Sequence, residues 1–393
     1  MGSSFSSITT SRFLYAGTYT APHTAPGAST PAISKGIAIY CLSGTGQLDW
    51  VGEVETENPS SLAMNATNTV LYAVNELGED DTGAPLGTIS AFSVEPGSGA
   101  LTLLNKQPTK GSWPCHCSVH PSGKFVLAAN YGSGEFMVFP IGADGALLPA
   151  SDFVTNPGRG HDAARQTGPH AHMILTEPVS NRVYGVDLGL DRVFAWSLDE
   201  DSGRLAAANL PYAQMASGAG PRHMVFSEDG QSAFVLNELA STVDVFDVAV
   251  DTGAFIGRQT VSMLPEASPL CRPVFDPENP GFIPEDANTG AEIRLHPNGK
   301  WLYATNRGMN TVVQFEIDGK TQDLSPVAWT SSQGGCPRGM ILSEDGNVLI
   351  VGNQNSNSIA VFSIDPDSGW LGEPIQTLAA PTPVDFVFGA DAD

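Results

Sequence analysis

Short apolar runs separated by turn residues recur along the chain in a fixed order. Each copy opens with a dipeptide such as Pro59-Ser60, Pro114-Cys115, Pro169-His170, Pro221-Arg222, Ala291-Glu292, Pro337-Arg338 or Pro383-Val384. An apolar strand follows, then a turn such as HPSGK (120–124) or SEDGQ (227–231). A second apolar strand then ends in Asn or Asp, as in LYAVNE (71–76), FVLNEL (234–239) and YATNRG (303–308). A third strand completes the unit, as in GEFMVFPI (134–141) and STVDVFDV (241–248). The openings lie 46–70 residues apart. Strand-rich units at that spacing predict a β-propeller. Seven copies start, and the last stops after PVDFVF (383–388). Its missing strands stand at the other terminus, FLYAGTYT (13–20) and GIAIYCL (36–42). The expected architecture is therefore all-β, a seven-bladed propeller closed by pairing of N- and C-terminal strands. Closure of that kind removes an exposed sheet edge. The expected organisation is one propeller domain over 12–388, a disordered N-terminal segment 1–11 and a C-terminal tail 389–393.

Composition narrows the partners. The net charge of −24 disfavours nucleic acid and anionic membranes. No apolar run approaches the roughly 20 residues of a membrane span, and the N-terminus lacks a signal-peptide core. Five cysteines form no CxxC pair, which points to a reducing, cytoplasmic setting. Strand alternation would place Cys115 and Cys117 on one face and His116 on the other. A GxSxG elbow, an HExxH pair, a P-loop and a Rossmann glycine pattern are all missing. No cofactor and no metal is expected, and the chain is read as a monomer or weak homo-oligomer acting on a small anionic substrate.

The innermost strands of a propeller line a central channel, so equivalent residues of the copies converge on one funnel. The position after each opening residue reads Ser60, Cys115, His170, Arg222, Glu292, Arg338 and Val384. A second column ends the next strand: Glu76, Tyr131, Leu188, Glu238, Arg307 and Gln354, with Tyr19 from the closing blade. The residues just before it are nearly uniform (Asn75, Asn130, Asp187, Asn237, Asn306 and Asn353), as a backbone-satisfying role requires. The two variable columns gather arginines, acids and a histidine, the pattern of a site. Arginine forks bind carboxylate or phosphate. Glu238 and His170 could move protons. Arg222 and Arg307 could instead only close the channel by pairing with Glu238 and Glu292. His172 is expected on the same strand face as His170 but deeper, in support, and His223 to point away from the channel.

The segments HPSGKFVLAANYG, GPHAH, GPRHMVFSEDG, VLNEL, AEIRLHPNGKWLYATNRG and PRGMILSEDGNVLIVGNQN resemble the seven-bladed lactonase family. That family includes propeller-type 6-phosphogluconolactonases and the fungal 3-carboxy-cis,cis-muconate cyclases. The resemblance implies catalytic roles for His170, Arg222, Glu238 and Arg307, and Arg338, Glu292, His172, Glu76, Tyr131 and Gln354 are the expected substrate contacts. The expected function is hydrolysis, in the central funnel, of a sugar-acid-type or carboxylated lactone. Glu238 or His170 would activate water, and the other would protonate the leaving hydroxyl. The alternatives are a lactonising cyclase of the 3-carboxy-cis,cis-muconate type and a non-catalytic anion-binding scaffold. A metal-dependent lactonase would hold a divalent ion with Asn130, Asn237, Asn353 and Glu76, against the repulsion of nearby arginines. The acidic stretch 277–290 is expected to cap the funnel.

Overall fold

The computed structural model describes residues 11–20, 34–276 and 283–392. Seven four-stranded antiparallel sheets make the seven blades. From the axis outward, one blade runs β4 (Pro59–Met64), β5 (Val70–Asn75), β6 (Thr88–Val94), β7 (Leu101–Pro108). The next is β8 (Pro114–Val119), β9 (Phe125–Asn130), β10 (Glu135–Pro140), β11 (Asp152–Thr155). It is followed by β12 (Ala171–Thr176), β13 (Val183–Asp187), β14 (Arg192–Asp199), β15 (Arg204–Gln214). The fourth contains β16 (Pro221–Phe226), β17 (Ser232–Asn237), β18 (Thr242–Val248), β19 (Phe255–Ser262). Then come β20 (Thr289–Leu295), β21 (Trp301–Arg307), β22 (Thr311–Ile317), β23 (Leu324–Ser331), and β24 (Pro337–Leu342), β25 (Val348–Asn353), β26 (Ser358–Ile364), β27 (Leu371–Ala379). The closing blade takes its innermost strand, β28 (Pro383–Asp391), from the C-terminus. Its other three, β1 (Arg12–Thr18), β2 (Gly36–Leu42) and β3 (Leu48–Glu55), come from the N-terminus.

The closure therefore forms as the split seventh copy implies, with β28 antiparallel to β1 from Thr18↔Pro383 to Arg12↔Asp391. Pairing extends past residue 388, so residues 389–391 are strand rather than tail. Residues 1–10 of the expected N-terminal segment lie outside the described residues, while the Ser11 carbonyl accepts from the Ala392 amide. Among the described residues no helix is long and apolar enough to cross a membrane.

The core lies between blades rather than at the axis. Seven main apolar clusters each fill the contact of two adjacent blades. Aromatic and β-branched residues suit these flat faces, because side chains alternate across each strand and stack against the neighbouring sheet. The outermost strands bury little; β3 and β7 are mostly exposed along one face. The closing interface holds Leu14, Tyr40, Ile350, Val361 and Phe386, each at most 2% exposed. Phe386→Ala is expected to cost about 3–5 kcal/mol, as transfer and cavity terms add. Denaturant titration of the purified variant measures this; a loss under about 1 kcal/mol would mean that the ring closes without that contact.

Candidate active site

The ring has two unlike faces. On one, tight turns such as 120–124, 296–300 and 343–347 join the inner strand pairs. The other carries the longer connections, and it is there that both variable columns end. Each inner strand starts with a register skip. The skip falls between Pro59 and Ser61, Pro114 and His116, Ala171 and Met173, Pro221 and His223, Gly290 and Ile293, and Pro337 and Gly339. Such a bulge leaves a residue unpaired and re-aims the side chains around it. It overturns two expectations based on plain alternation. His223 does not point away: it lines the channel beside Arg222. Cys115 and Cys117 do not share a face. The Cys115 thiol turns to Ala171 and His172 of the following blade, and that of Cys117 to Ser61 and Tyr72 of the preceding one.

The same registers correct the histidine column. Ala171 pairs with Asp187 as Pro221 does with Asn237, so His172, not His170, is the counterpart of Arg222. His170 precedes the strand, where its carbonyl accepts from the Leu188 amide, as the Gly220 carbonyl accepts from that of Glu238. The uniform column behaves as expected except at Asn237, whose amide donates to the side chains of Thr242 and Asp244. Asn75, Asn130, Asn306 and Asn353 donate to the carbonyls of Glu57, Thr109, Met263 and Ser332. Asp187 accepts from the His170 and Leu190 amides.

Glu238 is the centre of the site. Its carboxylate is 2.7 Å from Arg165, 3.2 Å from Arg222 and 2.9 Å from Arg307. Burial would raise its pKa, but Arg307, Arg165 and Arg222 hold it well below the ordinary carboxylate range. Arg222 and Arg307 thus both pair with Glu238. Burial, with repulsion from Arg338 and Arg307, pushes Arg222 down to about 10, which leaves it protonated near neutrality. Main-chain oxygens fix both guanidinium groups: Ala291 accepts from Arg222 at 2.6 Å and Gly290 from Arg307 at 2.8 Å. Gly308, next to Arg307, lets the chain pass close to the segment that leads into β20. Its φ is 128°, and a Cβ there would stand 2.2 Å from the Ala287 carbonyl oxygen.

Arg165 is the residue the columns missed. It reaches in from the connection between β11 and β12, donates to the Tyr131 hydroxyl at 3.0 Å and lies over the Phe275 ring at 4.8 Å. Gln166 pins that connection through the Leu188 carbonyl and Asp191. The signal available was indirect: Arg165 is one of only 18 basic residues in an acidic chain.

His170 stacks on Tyr131 at 4.7 Å and is half-buried. Its Nδ1 lies 2.8 Å from the Tyr131 carbonyl oxygen. That oxygen can only accept, so Nδ1 carries the proton and Nε2 is left as a base. Burial lowers the His170 pKa, so the ring is neutral near pH 7. His172 is packed deeper, against Tyr131 and His223, and burial holds it far below the histidine range.

The other expected contacts split into two groups. Glu76 accepts from the Tyr19 hydroxyl at 2.9 Å and stands 4.0 Å from Arg338. Gln354 is 1% exposed, and neither atom of its amide has a hydrogen-bond partner among the described residues. Glu292 is not with Glu238. It lies further along the channel, 3.2 Å from His223 Nδ1 and 3.7 Å from Arg294. Arg222 donates to His223 Nε2 at 3.2 Å, which fixes the tautomer that donates to Glu292. Of the acidic stretch expected to cap the funnel, residues 277–282 lie outside the described residues, and 289–290 begin β20. Among the described residues, no three His, Cys, Asp or Glu side chains are grouped to hold a metal ion.

Comparison with known proteins identifies the family. A family profile described as "Lactonase, 7-bladed beta-propeller" matches residues 13–388. The 6-phosphogluconolactonase of Bacillus subtilis (strain 168) is 31% identical over 328 residues, 83% of this chain and 86% of its own. The structure of a periplasmic gluconolactonase from Pseudomonas aeruginosa superposes with a TM-score of 0.85 at 28% identity, covering 97% of this chain and 99% of that one. A Lactobacillus plantarum protein superposes with a TM-score of 0.82 at 30% identity, covering 96% and 99%. With its seven blades, its split closing blade and a family match over nearly its whole length, the chain belongs to the lactonase family of seven-bladed β-propellers.

Proposed function

We propose that this protein hydrolyses a lactone bearing a carboxylate or phosphate, at the cluster formed by His170, Glu238, Arg165, Arg222 and Arg307. The observation that carries the reading is the charge at Glu238. Three guanidinium groups face a single carboxylate, which leaves an excess of positive charge inside a protein of net charge −24. An anionic substrate, or an oxyanion formed during reaction, balances that excess. The names of the B. subtilis and P. aeruginosa relatives favour hydrolysis over cyclisation and a sugar-acid lactone over others.

The steps follow from the side chains. His170 Nε2 takes a proton from water as its oxygen attacks the lactone carbonyl carbon. The carbonyl oxygen becomes an alkoxide, which Arg307 and Arg165 stabilise. Collapse breaks the bond from carbon to ring oxygen, and the His170 imidazolium returns the proton to the departing hydroxyl. Glu238 is too acidic to serve as the base; it holds the three arginines in place before substrate arrives. The buried Gln354 amide and Glu76 are positioned to meet substrate hydroxyls.

Arg165 separates this reading from a merely structural cluster, because it comes from a connection and not from a strand. Arg165→Met is expected to raise KM about ten- to hundredfold on 6-phosphogluconolactone, the worth of one or two charge-assisted hydrogen bonds. Steady-state kinetics at constant ionic strength measures it. A KM equal to that of the wild type would remove Arg165 from the substrate's contacts.

A further inference from the structure

A cavity of about 490 Å³ runs along the axis behind the arginine cluster. Its mouth lies on the tight-turn face, at Pro297, Ser343 and Glu344, away from the long connections that carry Arg165. A collar of apolar side chains surrounds that mouth, one from each of six blades: Ala63, Val119, Leu175, Leu295, Leu342 and Val387. Further in, the walls turn polar, with Ser118, His116, Glu292, Arg294 and Asp385. The inner end is formed by Arg222 and Arg338. Glu238, Arg307, Arg165 and His170 do not line the cavity.

Most of the charge in this wall is already matched. Glu292 faces His223 and Arg294. Asp385 accepts from the Leu62 amide and stands 4.0 Å from Arg294. Burial raises its pKa to about 6. Arg338 is the exception. Its side chain is 11% exposed, yet among the described residues its ion-pair and ring contacts are Glu76 at 4.0 Å and the face of Tyr19 at 5.4 Å. Among the described residues it makes no hydrogen bond, although a guanidinium carries five N–H donors. A nearly buried arginine with unused donors at the blind end of a polar cavity is a place for an oxyanion. The volume exceeds that of a bare ion and falls within the usual range for small-molecule sites.

We propose that the axial cavity is a second binding site that takes a small hydroxy acid, with its carboxylate on Arg338 and its hydroxyls along Ser118, His116, Glu292 and Asp385. The choice of a hydroxy acid rests on the proposed reaction, whose ring-opened product belongs to that class; the site itself rests on Arg338 and the cavity. Arg338 and Arg222 repel each other. An anion on Arg338 therefore relieves the strain on Arg222, and by linkage it couples the cavity to the Glu238 cluster.

Calorimetric titration with sodium gluconate, and separately with sodium phosphate, tests this on four folded proteins. They are the wild type, Arg307→Met, Arg338→Met and Val119→Trp, the last obstructing the mouth with Arg338 intact. Arg307→Met is expected to retain the cavity's gluconate binding, which wild type shows beside any binding at the Glu238 cluster, whereas Arg338→Met and Val119→Trp weaken it about tenfold or more. Gluconate binding lost in Arg307→Met but kept in the other two would place the anion at the Glu238 cluster and overturn the second site. No gluconate heat with the wild type would do the same, and binding of phosphate alone would overturn the ligand class. Lactone hydrolysis by the same wild-type preparation separates the two claims: turnover without cavity binding sinks only the cavity, and cavity binding without turnover sinks only the reaction.

Discussion

Glu238→Gln is expected to lose about 10²-fold or more in kcat/KM and to unfold more easily by about 3–5 kcal/mol. The substitution keeps the shape of the side chain and removes its charge. Arg165, Arg222 and Arg307 then share a buried pocket with no counter-ion, at 2.7–3.2 Å from the former carboxylate oxygens. Breaking a buried ionic cluster by deleting one partner leaves the others desolvated and unpaired, and this is the expensive case. Turnover suffers because the arginines no longer hold the geometry in which they meet an anion. Substrate would partly compensate by supplying the missing charge. Added anionic ligand should therefore restore stability to the variant more than to the wild type, by mass action on the folded state. Chemical denaturation with and without ligand, beside steady-state kinetics, measures both effects. Unchanged stability would show that the arginines are solvated or spread apart in solution.

His170→Gln is expected to lower kcat by about 10²–10⁴-fold while leaving KM nearly unchanged, the worth of a positioned base. The pH profile carries the sharper signature. Burial lowers the His170 pKa from the ordinary histidine value, so its basic form predominates near neutrality. Wild-type kcat/KM should rise with pH through the acidic region and then level off near neutrality. The acidic limb should disappear in His170→Gln. His172→Gln should keep it, since burial holds His172 neutral far into acid and its ring sits between Tyr131 and His223. A profile that loses its limb in His172→Gln instead would transfer the role of base to the deeper ring.

The blades and their closure were legible because each copy repeats the same apolar strands and turns, and because the split copy leaves matching fragments at both ends. The outermost strands were harder to read. Segments such as LDWVGEVE and LTLLNKQP bury one residue in two at most, and their polar faces resemble connections. Arg222, Glu238 and Arg307 were legible as members of aligned columns, and the structure brings all three together. The bulge was not legible. One extra residue at the start of each inner strand changes no residue type, yet it moves His170 out of its column, brings His172 in and turns His223 toward the channel. Arg165 lay beyond reach for a different reason: the connections between blades differ in length, from three residues before β28 to 26 before β20, so no periodicity marks it.

The most direct test of the central claim is an activity screen in the presence of chelator, over 6-phosphogluconolactone, gluconolactone, a muconolactone and 3-carboxy-cis,cis-muconate, with wild type beside Arg222→Ala. Hydrolysis of a sugar-acid lactone by the wild type, reduced about 10²-fold or more in the variant, is the predicted result. Equal turnover by both proteins, or no turnover of any lactone by a folded wild type, would contradict it.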